Sequence, residues 1–409
     1  MRKTIILLMS IIALQLRAQT ITNYTAADGL ISNFVECIDV DINNNVWLGT
    51  SVGVQMFDGS SGIVYDMANY PGMLSDNIKV ISGTSNGDIW IGTDYGANQL
   101  ISGVSGFMWL PFNSANGLNN NQVYSIDEDG FGRIWVGTHA GVSYYNGSTW
   151  SSYGNPNLHW SGVNGTAFDE NGEQWFASPL GGITHKDGGS FIPYDTSNGL
   201  LSQNVTDLEI DNQGNKWIGT GSGMSVLNAS NTSFTQHTRM YIMPPPDTLN
   251  PVVDIAMDSH GRIWAAIYVG YLAEGGIAYW DGNQWEDFHV SDGLVGPNVR
   301  GLAIDSEDNV WVATSTGVSK ISSISTSTSP ASIANVEVFP NPSSGVITVS
   351  FDENFKYIEV YNILGSLIHS EEIYFLNEIE LNLSHLSSGI YHLILSSEDQ
   401  LLNQKIIIE

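Results

Sequence analysis

The sequence predicts an all-β protein: a seven-bladed β-propeller closed by its own N-terminal strand, followed by a small C-terminal β-sandwich. Three observations carry this. A Trp-led strand recurs seven times, at Trp47, Trp90, Trp135, Trp175, Trp217, Trp264 and Trp311, with spacings of 43, 45, 40, 42, 47 and 47 residues. A second marker keeps step with it at Leu30, Leu74, Leu118, Leu158, Leu200, Leu249 and Leu294. The composition, with 43 Gly among 409 residues and only 13% charged residues, suits short strands and tight turns rather than helices.

The first element is an address. Arg2 and Lys3 precede an apolar run from Ile5 to Leu16 and a small residue, Ala18, which is the layout of a secretory signal peptide over residues 1–18. That run is too short to span a bilayer as a helix. Loss of Arg2, Lys3 and Arg17 takes the formal charge from −29 to −32. So acidic a chain lacks the Lys and Arg clusters that a nucleic-acid surface requires, and nucleic acid is excluded as a partner. The single Cys37 cannot form an intramolecular disulfide.

The propeller is assigned to residues 19–324. Within each unit an apolar strand ends at an Asp six residues before the Trp: Asp41, Asp129, Asp169, Asp211, Asp258 and Asp305. A Gly three before the Trp (Gly132, Gly172, Gly214, Gly261) completes a tight turn in which the carboxylate accepts backbone N–H groups. The Trp strand, a turn ending in Gly, a third strand and an aromatic fourth strand follow, which describes a propeller blade. Tyr24 stands six before Leu30, as Phe112, Tyr194 and Phe288 stand before their own Leu markers. Tyr24 therefore belongs to a fourth strand with no first three before it. The seventh unit lacks a fourth strand, so Ile21–Tyr24 is expected to complete it and leave no open edge.

These units resemble the propeller repeats in the periplasmic sensor regions of hybrid two-component regulators, through an Asp-x-x-Gly-x-x-Trp-x-Gly-Thr-x-x-Gly signature. The resemblance implies the fold and ligand sensing. It does not imply signalling by this chain, which shows a single such array and no kinase.

A Ser/Thr-rich linker, 325–333, precedes a segment of different composition, 334–409, in which alternating stretches predict a β-sandwich. The segment resembles the C-terminal sorting domain of type IX secretion substrates of the Bacteroidetes. The matching residues are Phe339-Pro340-Asn341-Pro342 with Gly345, Val360-Tyr361-Asn362 with Gly365, Leu386, Gly389-Ile390-Tyr391 and Lys405-Ile406-Ile407-Ile408. This implies the type IX secretion machinery as a partner, export through the periplasm, and a secreted or outer-membrane surface location. It also implies removal of the sorting domain.

The chemical motifs reduce to turns. Gly49-Thr50-Ser51-Val52-Gly53 matches a nucleophile elbow, but the same slot reads Gly-Thr-Asp-Tyr-Gly at 92–96 and no helix follows. The six repeated Asp each occupy the turn of their own blade and cannot converge on one calcium ion; no metal or other cofactor is expected. The nine His show no metal-type spacing. What remains are departures from the repeat on the face formed by the inter-blade loops and the turns joining second to third strands. The candidate ligand-binding residues there are Asp94, Tyr95, His139, His159, Trp160, Arg239, Tyr241, Tyr268, Tyr271 and Glu274. Aromatics beside a few polar groups suit a glycan or peptide. The leading expectation is a non-enzymatic binding propeller. A polysaccharide lyase or glycosidase built from Asp94, His139, Arg239, Tyr241 and Glu274 is the alternative, and a scaffold or adhesin without a small ligand is a third.

Overall fold

Asp turns, Trp strands and glycine-ended turns build seven four-stranded antiparallel sheets between Thr20 and Ser322. The computed structural model describes residues 20–103, 106–158, 160–169, 172–241, 250–270, 274–322, 336–351, 355–362, 367–373, 378–396 and 401–408. The leader 1–18, the linker 325–333, His159, Leu249, Tyr271 and Gly365 lie outside these residues. The described chain forms two compact units, one on either side of the linker.

In the first unit the innermost strands are Cys37–Val40, Ile78–Gly83, Val123–Glu128, Gly165–Phe168, Val205–Ile210, Val252–Met257 and Val299–Ile304, belonging to blades 1 to 7. Each packs against the innermost strand of the next blade, and the seventh packs against the first, so the blades form a closed ring. Closure is as expected: Thr20–Tyr24 pairs antiparallel with Gly317–Ser322, from Thr20 opposite Ser322 to Tyr24 opposite Val318. Asn23 adds side-chain bonds to Gly293 O (2.8 Å) and from Ser319 Oγ (2.7 Å).

The turn Asp does more than cap. In blade 1, Asp41 Oδ1 accepts from the N–H of Asn43 and Asn45 while Oδ2 accepts from the indole of Trp47 at 2.8 Å. The same indole bond recurs from Trp135 to Asp129, Trp217 to Asp211, Trp264 to Asp258 and Trp311 to Asp305, at 2.7–2.9 Å. One carboxylate thus satisfies a turn and a buried indole donor together. In blade 2 the slot holds Thr84, and Asp88 instead binds Asn86 and Gln99.

The core is divided among the seven blade interfaces. Trp47 packs with Met73, Ile78 and Ile81 of blade 2; Trp311 packs with Leu30, Val35 and Ile38 of blade 1. The Leu markers are the interface residues, with two corrections. In blade 2 the buried side chain is Met73, and Leu74 is half-buried. Met73 stands five residues before Ile78, as Leu30 stands before Val35, so the true register is one residue earlier. At the interface of blades 5 and 6, Met240 and Tyr241 fill the core.

The second unit packs a three-stranded sheet (Val336–Phe339, Val346–Phe351, Glu378–Asn382) on a four-stranded one (Leu367–Glu372, Tyr357–Asn362, Gly389–Ser396, Leu401–Ile408). Ile347, Val349 and Leu381 meet Ile358, Val360, Leu393 and Ile406 in its core, which is the expected sandwich. Asn341 ties the motif to the terminal strand: its Nδ2 donates to Lys405 O at 2.8 Å and its Oδ1 accepts from Ile407 N at 2.9 Å. Gly345 adopts φ 119°, with Ser384 where a Cβ would stand. Tyr391 is buried and donates to Ser387 O at 2.9 Å. Pro340 and Pro342 flank Asn341, and Gly389 begins the strand that carries Tyr391.

Candidate ligand-binding site at the channel mouth

The seven innermost strands enclose a cavity of about 730 Å³. Where those strands begin, five of them carry a β-bulge, centred on Lys79, Tyr124, Thr206, Val253 and Arg300. A bulge leaves its residue outside the ladder and re-aims the side chain. All five, with Glu36 and Asn164 at the matching positions of blades 1 and 4, line the cavity and form its mouth.

Most of these mouth residues have specific partners. Arg300 lies between the rings of Phe34 and Tyr268, 4.9 and 5.3 Å from their centroids, and its Nη2 is 3.1 Å from Glu36 Oε2. Lys79 Nζ is 3.8 Å from Asp94 Oδ2. Tyr124 Oη is 3.1 Å from His139 Nδ1. Burial holds the Tyr124 phenol above its usual range, with the Asp94 charge adding to the effect. Asp94, Lys79, Tyr124 and His139 are thus one polar group on blades 2 and 3.

Above the mouth the turns between second and third strands carry apolar residues on four consecutive blades. Val52 and Leu180 are exposed, Tyr95 is 64% exposed, and the turn of blade 3 is His139-Ala140. Trp160, 45% exposed, stands beside Leu180, its Cβ packed over Gly181. The same turn in blades 5 and 7 reads Ser222 and Thr316. The result is an apolar crescent over blades 1 to 4.

Below the mouth the channel wall is acidic. Asp39, Asp127, Asp207, Glu209 and Asp254 all line it. Asp39 accepts from Gly83 N (2.7 Å), Asp127 from Thr166 Oγ1 (2.6 Å), Asp207 from Ile255 N (2.9 Å) and Asp254 from Leu302 N (2.7 Å). Each of these four bonds links one blade to the next. Desolvation pushes the carboxyls up, Asp39 and Asp127 to about 6 and Glu209 and Asp254 to about 7. Asp207 is raised well above the ordinary value by desolvation, with the neighbouring Asp254 and Asp127 charges adding to it.

Of the residues named from sequence, the structure brings Asp94, His139 and Tyr268 to the mouth and leaves Tyr95 and Trp160 exposed beside it. Arg239 and Glu274 are exposed, and neither is among the described residues that line the cavity. Tyr241 is a correction. It is 3% exposed, donates to Gly275 O at 2.9 Å and its ring lies 4.3 Å from that of His289, tilted by 34°. The N–H groups of Met240 and Tyr241 both donate to Asn250 Oδ1. The start of the insertion is folded into the blade interface, where Met240 and Tyr241 pack with Trp217 and Ile255. Sequence reasoning missed Phe34, Glu36, Lys79, Tyr124, Arg300 and the five channel carboxyls. For all but Phe34 the signal was present: charged or polar residues within or just before apolar first strands.

Asp258, His260 and Asp308, between blades 6 and 7, bring ligand-type atoms within 4.8 Å of one another. Asp258 is already occupied by the N–H of His260 and Arg262, the Arg262 Nε and the Trp264 indole. Asp308 accepts from Ser259 N and Oγ, and its Oδ2 lies 3.0 Å from His260 Nδ1. The four acceptor sites of Asp258 are thus filled, and the group ties blade 6 to blade 7 through Ser259, His260 and Asp308.

This architecture defines a seven-bladed propeller with a separate C-terminal sandwich. Residues 337–409 match the Secretion system C-terminal sorting domain, and residues 117–140 match the Two component regulator propeller repeat. One blade thus matches a two-component-regulator propeller repeat, and the C-terminal unit matches a sorting domain of the type IX secretion system, a segment that directs secretion to the cell surface or outside.

Among solved structures the chain is similar to the extracellular domain of a putative hybrid two-component system from B. thetaiotaomicron (TM-score 0.63, 18% identity, 95% of this chain and 57% of that one). It is also similar to PorZ, a bacterial surface component of the type IX secretion system of Porphyromonas gingivalis (0.59, 17%, 94% and 61%). The propeller alone resembles a catalytically inactive virginiamycin B lyase from Staphylococcus aureus bound to quinupristin (0.57, 13%, 74% and 99%). The chain thus spans about three fifths of the first two. At these identities the likeness is one of fold. No curated protein matches the chain.

No helix among the described residues is long and apolar enough to cross a membrane.

Proposed function

We propose that this chain is an exported surface propeller that binds a glycan or peptide non-covalently at the channel mouth, on the side of blades 1 to 4. The observation that carries the reading is the position of exposed Tyr95 and Trp160 beside the mouth of a 730 Å³ cavity whose rim includes the bulge-aimed side chains of Lys79, Tyr124 and Arg300. Aromatic faces supply sequence-tolerant contact area, and the polar rim supplies orientation.

The test is a combined glycan and peptide array probed with the full chain, followed by Tyr95→Ala and Trp160→Ala. Loss of binding by at least about tenfold in either variant, about 1.4 kcal/mol, supports the reading. Binding that is indifferent to both rejects it.

A second reading is favoured by one contact, Tyr124 Oη to His139 Nδ1 at 3.1 Å with Asp94 adjacent. A Tyr–His pair at a cavity mouth has the residue types of a proton-transfer site. Under that reading a captured ligand loses mass on incubation, and Tyr124→Phe stops the loss without preventing capture.

A further inference from the structure

We infer that the ligand is a basic polypeptide segment, one of whose Lys or Arg side chains enters the axial channel while its apolar neighbours lie on the crescent of Val52, Tyr95, Trp160 and Leu180. The inference rests on the mouth reading above and names the class of ligand.

The first support is the crescent itself. Four exposed apolar or aromatic side chains lie on this face, Val52 on blade 1, Tyr95 on blade 2 and Trp160 with Leu180 at blade 4, whereas the equivalent turns of blades 5 and 7 present Ser222 and Thr316. Exposed apolar surface rimmed by polar groups marks an interaction site.

The second support is the charge of the cavity beside it. Its wall carries Asp39, Asp127, Asp207, Glu209 and Asp254, against the cations Lys79 and Arg300. Those cations already face Asp94 and Glu36, so among the described residues the five deeper carboxyls face no ion-pair partner. Ser125, 7% exposed on the same wall, has a side-chain oxygen with no hydrogen-bond partner. Four of the carboxyls give an oxygen to a donor of the adjoining blade, and Asp254 also accepts from Ile255 N and is hydrogen-bonded to Asp207; a carboxylate has about four acceptor sites, so capacity for an ammonium or guanidinium remains on Asp39, Asp127 and Glu209.

The third support is discrimination. A formal charge of −29 repels acidic ligands, and a neutral sugar can donate hydroxyl hydrogen bonds to the carboxyls but brings no positive charge to offset their ionisation. A Lys or Arg side chain does both things the site asks: its stem lies along apolar wall and its head meets the acids. Desolvation raises these carboxyls in the empty channel, so an entering cation drives their ionisation and binding releases protons.

The experiment measures binding of Ac-Phe-Leu-Lys-Leu-Phe-NH2 and of its norleucine analogue to the full chain at low and moderate salt. Variants are Glu209→Gln, which leaves the inter-blade bonds in place, and Tyr95→Ala. The expected result is at least tenfold preference for the Lys peptide, weakening with salt. Glu209→Gln is expected to cut that preference at least threefold, and Tyr95→Ala to weaken both peptides.

Equal affinity for the two peptides overturns the cation inference; the mouth reading stands if Tyr95→Ala still weakens both. Capture of neutral glycans alone, sensitive to Tyr95→Ala, overturns the peptide inference and keeps the mouth. Binding of any ligand insensitive to Tyr95→Ala and Trp160→Ala overturns both, as does no binding to peptides or a glycan array.

Discussion

The ring of Tyr24 stacks on that of Trp311, with centroids 5.8 Å apart and planes 19° from parallel, although 287 residues separate them. Tyr24 is on the first described strand and Trp311 on the middle of blade 7, so this contact belongs to the closure of the ring. The edge of Phe57 meets the same Tyr24 ring at 5.1 Å and 74°, which makes Tyr24 a bridge between blade 7 and blade 1. Tyr24→Ala is expected to cost about 2 kcal/mol. Removal of residues 20–24 exposes a sheet edge and costs far more. Thermal unfolding followed by Trp fluorescence checks both; equal, small effects would mean that closure contributes little.

The Asp–indole bonds make a graded prediction. Asp305→Ala removes the acceptor of the Trp311 indole together with the bonds to Asn309, leaving buried donors unsatisfied at about 1–3 kcal/mol. In blade 4 the Trp175 indole has no acceptor among the described residues, and the ring instead stacks on His185 at 3.9 Å. Asp169→Ala is therefore expected to destabilise less than Asp305→Ala by about 1 kcal/mol, measured by urea denaturation.

The channel carboxyls set a pH dependence of stability. Their folded values, about 6 for Asp39 and Asp127 and about 7 for Glu209 and Asp254, lie above the unfolded values near 4. Between pH 4 and 7 the folded state holds protons that the unfolded state has released, so stability falls as pH rises through that window. Glu36, Lys79, Arg300 and Cys37 share the wall, and Cys37 stays protonated because burial and the neighbouring Glu36, Asp39 and Asp254 charges push its thiol up. The melting temperature should be higher at pH 5 than at pH 8, and Glu209→Gln should narrow the gap by several degrees. A melting temperature that climbs from pH 5 to 8 would falsify this.

Tyr241 and the crescent separate stability from binding. Tyr241→Phe loses one buried bond to Gly275 O and is expected to cost about 1 kcal/mol with ligand affinity unchanged. Trp160→Ala, at an exposed position, is expected to reverse that pattern: unchanged melting temperature and weakened capture. Paired calorimetry and binding isotherms on the two variants distinguish the roles.

How legible was this in the sequence? The turn Asp, the Trp strand and the closing Tyr24 are governed by contacts within a unit or repeated identically between units, so periodicity reveals them. Met73 shows the limit: the eye follows the commoner Leu74, while the buried slot is set by its distance to Ile78. Tyr241 shows another, since an insertion reads as a surface loop until its first residues are seen packed in a blade interface.

The sequence by itself determined the repeat count, the strand order within each blade, the self-closure and the sorting segment, because each depends on short-range spacing and pairing. Only the tertiary structure decided that Asp39, Asp127, Asp207, Glu209 and Asp254, drawn from four blades, share one channel wall. It also decided that bulges turn Lys79, Tyr124 and Arg300 toward its mouth. Those relationships exist only once the ring has closed, for convergence on an axis is a property of the whole circle of blades.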